Sequence, residues 1–234
     1  MIDWQVAIDA FPVIFRAMFV TLGITLGAYL VSVVFGLVLT LLGRSSFKPL
    51  AWCVYGFVQF VRSTPPLVQL FFVYYAWPQI PVVGVSMSAV TAGIATLGIH
   101  YATYLSEIYR SGINAVPKGQ WEASRALNFS RPKTWIKVIL PQAIPPVIPM
   151  MGNYLIVLFK ETPLLMAISV YEMLAAAREL GASNFQYTEV YTIVGLLFLL
   201  LSYPSSLLVG YAEKRMNNRI QRKAKKVEKE QASA

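Results

Sequence analysis

"AMFVTLGITLGAYLVSVVFGLVLTLLG", residues Ala17 to Gly43, carries no charge between Arg16 and Arg44. A helix that crosses the hydrocarbon core of a bilayer needs about 20 mostly apolar residues, and this run supplies them. The rest of the chain has the same character. Of 234 residues, 56% are hydrophobic and 13% charged, against roughly 25% charged in a water-soluble domain. The apolar residues fall in long blocks and show neither a strand-like nor a helix-like surface period. The composition therefore predicts an integral membrane protein with most of its mass in the lipid bilayer and no separate soluble domain.

Four more blocks follow the first, at roughly Leu50–Ala76, Met87–Tyr109, Ala143–Met166 and Val190–Ala212. The expected fold class is all-α integral membrane, with five transmembrane helices. Five spans put the termini on opposite sides. Arg44 and Lys48, the loop residues Arg110, Lys118, Arg125, Arg131, Lys133 and Lys137, and the tail "EKRMNNRIQRKAKKVEKE" lie on one side, against Arg16 and Arg178 on the other. The excess of Lys and Arg on cytoplasmic loops predicts the N-terminus outside and the C-terminus in the cytoplasm. The expected organisation is a single transmembrane domain over 1–214 and a basic cytoplasmic tail over 215–234. The net charge of +9 sits in short clusters beside apolar spans, which argues for membrane topology and against a nucleic-acid partner.

Single residues exclude further classes. Cys53 is the lone cysteine, so an intrachain disulfide or a paired-cysteine metal site is impossible; it is expected to be a small core residue of a membrane helix. His100 is the lone histidine, which excludes a multi-histidine metal site. No phosphate-binding glycine loop and no nucleophile–base pair is present, so neither ATP hydrolysis nor other catalysis is expected of this chain, and no cofactor. The N-terminal "MIDWQVAIDAFP" has no early basic residue and is not expected to be a cleaved signal. Gly23 and Gly27, and Ser32 and Gly36, are spaced for close helix approach, either within the chain or to a second copy.

Inside the second block, "VRSTPPLV" places Arg62 and two prolines where lipid is expected, and "FKETPLLM" repeats the pattern in the fourth. Arg62 matches Lys160, Thr64 matches Thr162 and Pro65 matches Pro163. Proline in mid-helix removes a hydrogen bond and clashes with the preceding turn, and in a bilayer the freed carbonyls need partners. A cation at that depth costs about 2.5–3.5 kcal/mol on insertion scales. Paired broken spans point to a transport pathway. Arg62, Thr64, Lys160, Glu161 and Thr162 are thus candidates to line or support a polar cavity with breaks that expose backbone groups to substrate. The alternative is an ion network that ties helices together. In "GIHYATYLSEIY", His100 and Tyr104 share a helix face with Glu107 and join the candidates.

The segment "AVPKGQWEASRALNFSRPKTWIKVILPQA", Ala115–Ala143, is a basic loop with one acid, Glu122. Pro117 suits a helix start, Gln120–Leu127 can form two turns, and Asn128 can adopt the left-handed conformation that ends them. Ser130 can cap a second helix, which Pro141 should stop. Ala123 and Ala126 keep the first helix slim enough for a partner's groove, with Trp121 and Leu127 as apolar anchors.

This loop, about 110–141, resembles the EAA motif of ABC importer permeases: Glu-Ala-Ala, three residues, Gly, nine residues, Ile-x-Leu-Pro. Here it reads Glu122-Ala123-Ser124, Asn128 and Val138-x-Leu140-Pro141. With "RSTPPLVQLFFVYY" and "VILPQAIPPVIPMMGNYLIVLFKETPLL", most of the chain resembles permeases of the polar amino acid uptake (histidine/glutamine-type) subfamily. The stretch from Ala126 resembles permeases for ectoine-type compatible solutes. The resemblance implies a type I ABC importer permease fold with a short cytoplasmic coupling helix, formed by Gln120, Trp121, Glu122, Ala123, Ser124, Arg125, Ala126, Leu127 and Asn128. It also implies a second permease subunit, identical or homologous, a cytoplasmic ABC ATPase dimer that binds ATP and magnesium, an extracytoplasmic solute-binding protein, and residence in the inner membrane. The expected function is alternating-access import of a small polar amino acid or zwitterion. The rival readings are an ATP-independent channel or secondary transporter, and a membrane scaffold.

Overall fold

The computed structural model describes residues 3–232, apart from the side chains at 184, 217 and 219–232. Among these residues every regular element is helical. The elements are α1 (Trp4–Gly43), α2 (Lys48–Arg62), α3 (Pro66–Phe71), α4 (Ala89–Asn114), α5 (Lys118–Ala126), α6 (Arg131–Thr134), α7 (Leu140–Glu161), α8 (Met173–Asn184) and α9 (Tyr187–Ala232). Wide π turns follow α3 and α6, at Phe72–Ala76 and Trp135–Ile139, and a 3-10 stretch, Thr162–Ile168, follows α7.

Among the described residues three helical stretches are long and apolar enough to cross a membrane: Trp4–Gly43, Arg131–Ile168 and Tyr187–Met216. The other two expected spans differ for identifiable reasons. The second is cut into α2 and α3, each too short alone. The third, α4, has 26 residues but carries Thr96, His100, Thr103, Ser106 and Glu107. Boundaries also move. α1 begins a dozen or so residues before Ala17 because the Asp3 carboxylate accepts from the amides of Gln5 and Val6, and Arg16 points outward. The expected tail is continuous in backbone with α9; most of its side chains lie outside the described residues.

The chain forms two compact units: Met1–Ser106 with Tyr154–Tyr203, and Glu107–Asn153 with Pro204–Ala234. In the first, α1 and the early part of α4 approach closely. The Ser32 hydroxyl donates to the Gly98 carbonyl at 2.9 Å, and Thr40 to that of Ser106 at 3.1 Å. A Cβ on Gly36 would lie 2.9 Å from the Ala102 carbonyl, whereas one on Gly23 would meet nothing within 4 Å. The Ser32–Gly36 spacing therefore serves packing within the chain.

Both broken segments pack in the same core, where Leu70 of α3 and Leu165 and Ile168 of the 3-10 stretch are fully buried. α2 ends at Arg62, and Pro66 opens α3 at a position that needs no amide hydrogen. Cys53, expected in the core, is exposed, because α2 turns that face outward with Trp52.

In the second unit, Ile113, Val116, Ile139 and Ala143 form a small core flanked by Trp121 and Trp135. Pro117 precedes α5 as its N-cap. Asn128 has φ 55°, the Phe129 amide donates to the Ser124 carbonyl at 3.0 Å, and the Asn128 amide to that of Arg125 at 2.9 Å. These two bonds are a Schellman stop. Ser130 occupies the N-cap of α6, but its hydroxyl makes no capping bond. Pro141 does not end the helix: the π turn re-phases the chain, and Pro141 falls in the first turn of α7, where no donor is required.

Two predictions follow from these contacts. Gly36→Ala should destabilise the purified protein by about 1–3 kcal/mol through overpacking, while Gly23→Ala leaves it unchanged or slightly more stable; thermal unfolding in detergent measures both, and equal effects would contradict the packing. Asn128→Gly should keep the α5 stop, whereas Asn128→Val should cost about 1–2 kcal/mol at positive φ. The readout is again thermal unfolding in detergent, and indistinguishable variants would count against the left-handed turn.

Candidate functional site

The first unit holds a cavity of about 390 Å³ lined by Arg62, Thr64, Pro65, Pro66, His100, Tyr101, Tyr104, Tyr154, Val157 and Glu161. The helix break that brings Arg62 to it is closed locally. The Thr64 hydroxyl donates back to the Phe60 and Val61 carbonyls, at 3.0 and 3.2 Å. The Gln69 amide nitrogen lies 2.7 Å from the Val61 carbonyl and 3.1 Å from that of Thr64. The break was expected to expose backbone groups to substrate; side chains of the same segment instead satisfy these carbonyls. The second break is closed similarly, by the Thr162 hydroxyl on the Phe159 carbonyl at 2.7 Å.

The Arg62 guanidinium stands over the Tyr104 ring, 5.0 Å from its centroid. Tyr104 in turn lies 5.4 Å from His100 and 5.5 Å from Tyr154. Arg62 is exposed, so this is a cation–π contact of the solvent-facing kind, worth about 0.5–1 kcal/mol, and among the described residues no carboxylate pairs with the cation. Opposite in charge, Glu161 has a carboxylate oxygen, Oε2, that is buried and has no hydrogen-bond partner. A buried acceptor left open is costly unless something fills it. The cavity thus offers one cation, one carboxylate with an open oxygen and aromatic walls, a set able to take a small zwitterion.

Of the sequence candidates, Arg62, Thr64, His100, Tyr104 and Glu161 meet at this cavity. Lys160 does not. It is exposed, because neighbours on an α-helix point about 100° apart and Glu161 takes the inward direction. Thr162 is fully buried and braces its turn behind the cavity without lining it. Among the described residues no ion pair joins Arg62, Lys160 and Glu161, so the ion-network alternative has no contact to rest on. Tyr101, Tyr154 and Gln69 were not anticipated. Tyr101 beside His100 in "HYATY" was the available signal, whereas Tyr154 and Gln69 sit in apolar stretches that gave none.

In the second unit, α5 presents Glu122, Ala123, Arg125, Ala126 and Leu127 outward, with Leu127 68% exposed. Ser124 is buried, and its hydroxyl donates to the Gln120 carbonyl at 2.7 Å. Gln120 also accepts from the Gln142 amide at 3.2 Å. Trp121, expected as an anchor for a partner, is half-buried, packs edge-on against Trp135 at 5.3 Å and also lines an open cavity with Glu122 and Arg125. The contact fastens α5 to its own unit, and Leu127 is the more exposed apolar residue. The Asn128 stop ends this surface.

Residues 32–218 match the family described as the binding-protein-dependent transport system inner membrane component. The chain is 37% identical to a probable amino-acid ABC transporter permease of Sinorhizobium fredii, over 91% of each protein. It is 35% identical to a probable amino-acid permease of Bacillus subtilis, over 92% of this chain and 96% of the relative. A crystal structure of an amino acid ABC transporter with histidines superimposes with a TM-score of 0.84 at 31% identity, covering 92% of this chain and 99% of that one. The ectoine reading and the ATP-independent and scaffold alternatives find no support in these relatives. An all-helical chain with a polar cavity between broken helices and an acid-bearing short helix thus belongs to the binding-protein-dependent transport permeases, as an ABC importer permease subunit.

Proposed function

We propose that this chain imports an amino acid by alternating access, with the cavity at Arg62 and Glu161 as part of the substrate route and α5 as the coupling helix. The observation that supports the substrate class is the open Glu161 oxygen in a cavity that also holds Arg62. An amino acid presents the complementary pair, a carboxylate for the guanidinium and an ammonium for the carboxylate. The permeases it resembles are named for amino acids. Thr64 supports the break beside Arg62, Thr162 supports the corresponding turn, and His100 and Tyr104 form the wall between them.

ATP and magnesium belong on a partner ATPase dimer. Glu122, exposed on α5, would meet a cation in that partner's groove. Closure of the ATPases would pull on α5, and hydrolysis would return it. A second permease subunit completes the pore, and an extracytoplasmic binding protein delivers the substrate. The chain is a single permease domain over 1–214, in the inner membrane, with its N-terminus outside and its basic tail in the cytoplasm, as the distribution of Lys and Arg favours.

Glu122→Lys should place like charges at the ATPase contact, which costs several kcal/mol and lowers coupled uptake at least about tenfold while the permease still inserts. Wild-type uptake by this variant would sink the coupling role. Arg62→Gln should raise the KM for transported amino acid about 10- to 100-fold through loss of a charge-assisted hydrogen bond, with basal ATPase activity of the assembled complex retained. Lys160→Gln, which alters an outward-facing residue, should leave KM unchanged. The two variants are compared in proteoliposomes. Equal KM values for Arg62→Gln and wild type would remove Arg62 from the route.

A further inference from the structure

We infer that Gln69 fixes His100 as its Nδ1–H tautomer, so that His100 Nε2 is a bare acceptor in the cavity for the ammonium group of an amino acid. This rests on the cavity being the substrate route.

The orientation of Gln69 follows from its surroundings. One end of its amide faces three oxygens at the helix break: the Val61 carbonyl at 2.7 Å, the Thr64 hydroxyl at 2.6 Å and the Thr64 carbonyl at 3.1 Å. Carbonyl oxygens only accept, so that end must be the NH₂ group. A flipped amide would press an oxygen against two carbonyls. The other end, Oε1, therefore faces His100, with Nδ1 at 3.1 Å. An amide oxygen only accepts as well, so Nδ1 must carry the proton. In a neutral imidazole the second nitrogen is then an acceptor.

His100 lines the cavity and is 4% exposed, and its Nε2 has no hydrogen-bond partner among the described residues. The charged and titratable groups that line the cavity with the ring are Arg62 from α2, Tyr101 and Tyr104 from α4, and Tyr154 and Glu161 from α7. An ammonium has donors and no acceptor. Glu161 Oε2 and His100 Nε2 give it two acceptors, while Arg62 is left for the carboxylate. Gln69 is then a positioning residue: the same amide that closes the helix break sets the hydrogen-bonding sense of the cavity wall.

Because His100 is the only histidine in the chain, ¹⁵N-histidine labelling of the full-length permease, carrying a tag without histidine, yields a single imidazole by NMR in bilayer nanodiscs. L-glutamine, L-arginine and L-glutamate, as neutral, cationic and anionic probes, are first titrated calorimetrically. The expected result is a protonated Nδ1, a bare Nε2, and a shift of Nε2 on adding whichever probe binds. The N-trimethyl derivative of that probe, which lacks N–H donors, should bind at least about tenfold more weakly and leave Nε2 unmoved. Gln69→Leu should transfer population to the Nε2–H tautomer, a change that loss of mere bracing would not produce. If that variant does not fold, the wild-type spectra decide. A wild-type ring protonated on Nε2 or on both nitrogens, or a bound amino acid that leaves Nε2 unmoved, overturns the inference while the substrate route stands. Binding of none of the three probes removes both.

Discussion

A carbonyl in lipid has no water to turn to, and each one left open costs several kcal/mol. The structure around residues 60–69 is arranged by that constraint. Two prolines end α2 and start α3, and the carbonyls of Phe60 and Thr64 lose their helical partners while that of Val61 keeps only a long bond of 3.5 Å from the Thr64 amide. Thr64 and Gln69 take them up. Only because the break is closed can α2 stop at Arg62 and deliver a guanidinium to the Tyr104 ring. Only because Gln69 is committed on one side does it present a fixed acceptor to His100 on the other.

The same economy appears at α5. Ser124 satisfies its own hydroxyl within the helix, and Asn128 turns the chain so that two late carbonyls are met by following amides. Trp121 then spends its apolar surface on Trp135. What remains outward is a short face of small residues with one carboxylate, one guanidinium and one leucine. A helix of nine residues is too short to be stable alone in water, so its shape is set by the unit behind it.

Much of this was legible in the sequence where the governing physics is local. Proline at 65 and 66 announces a break whatever surrounds it, and Asn128 advertises positive φ at the end of a short amphipathic run. The length of apolar blocks gave the class of fold. What stayed hidden depends on direction or on distant partners. Matching "VRSTPPLV" with "FKETPLLM" aligned Arg62 with Lys160, yet one residue of helical phase turns Lys160 out and Glu161 in. Gln69 reaches a carbonyl eight residues back and an imidazole 31 residues on, and no spacing rule connects them. The contact of Trp121 with Trp135 was hidden as well, because the two rings meet only once α6 has folded back.

The two closed breaks have their apolar neighbours in common. Leu70, just past the first, and Leu165 and Ile168, in the second, fill one core with Gly93, where even a Cβ would come within 2.8 Å of Leu165. Packing that dense does not let one segment slide while the other stays put. The segments that follow Arg62 and Glu161 therefore share one packed core, and a change of volume at Leu70 or Leu165 reaches both walls of the cavity.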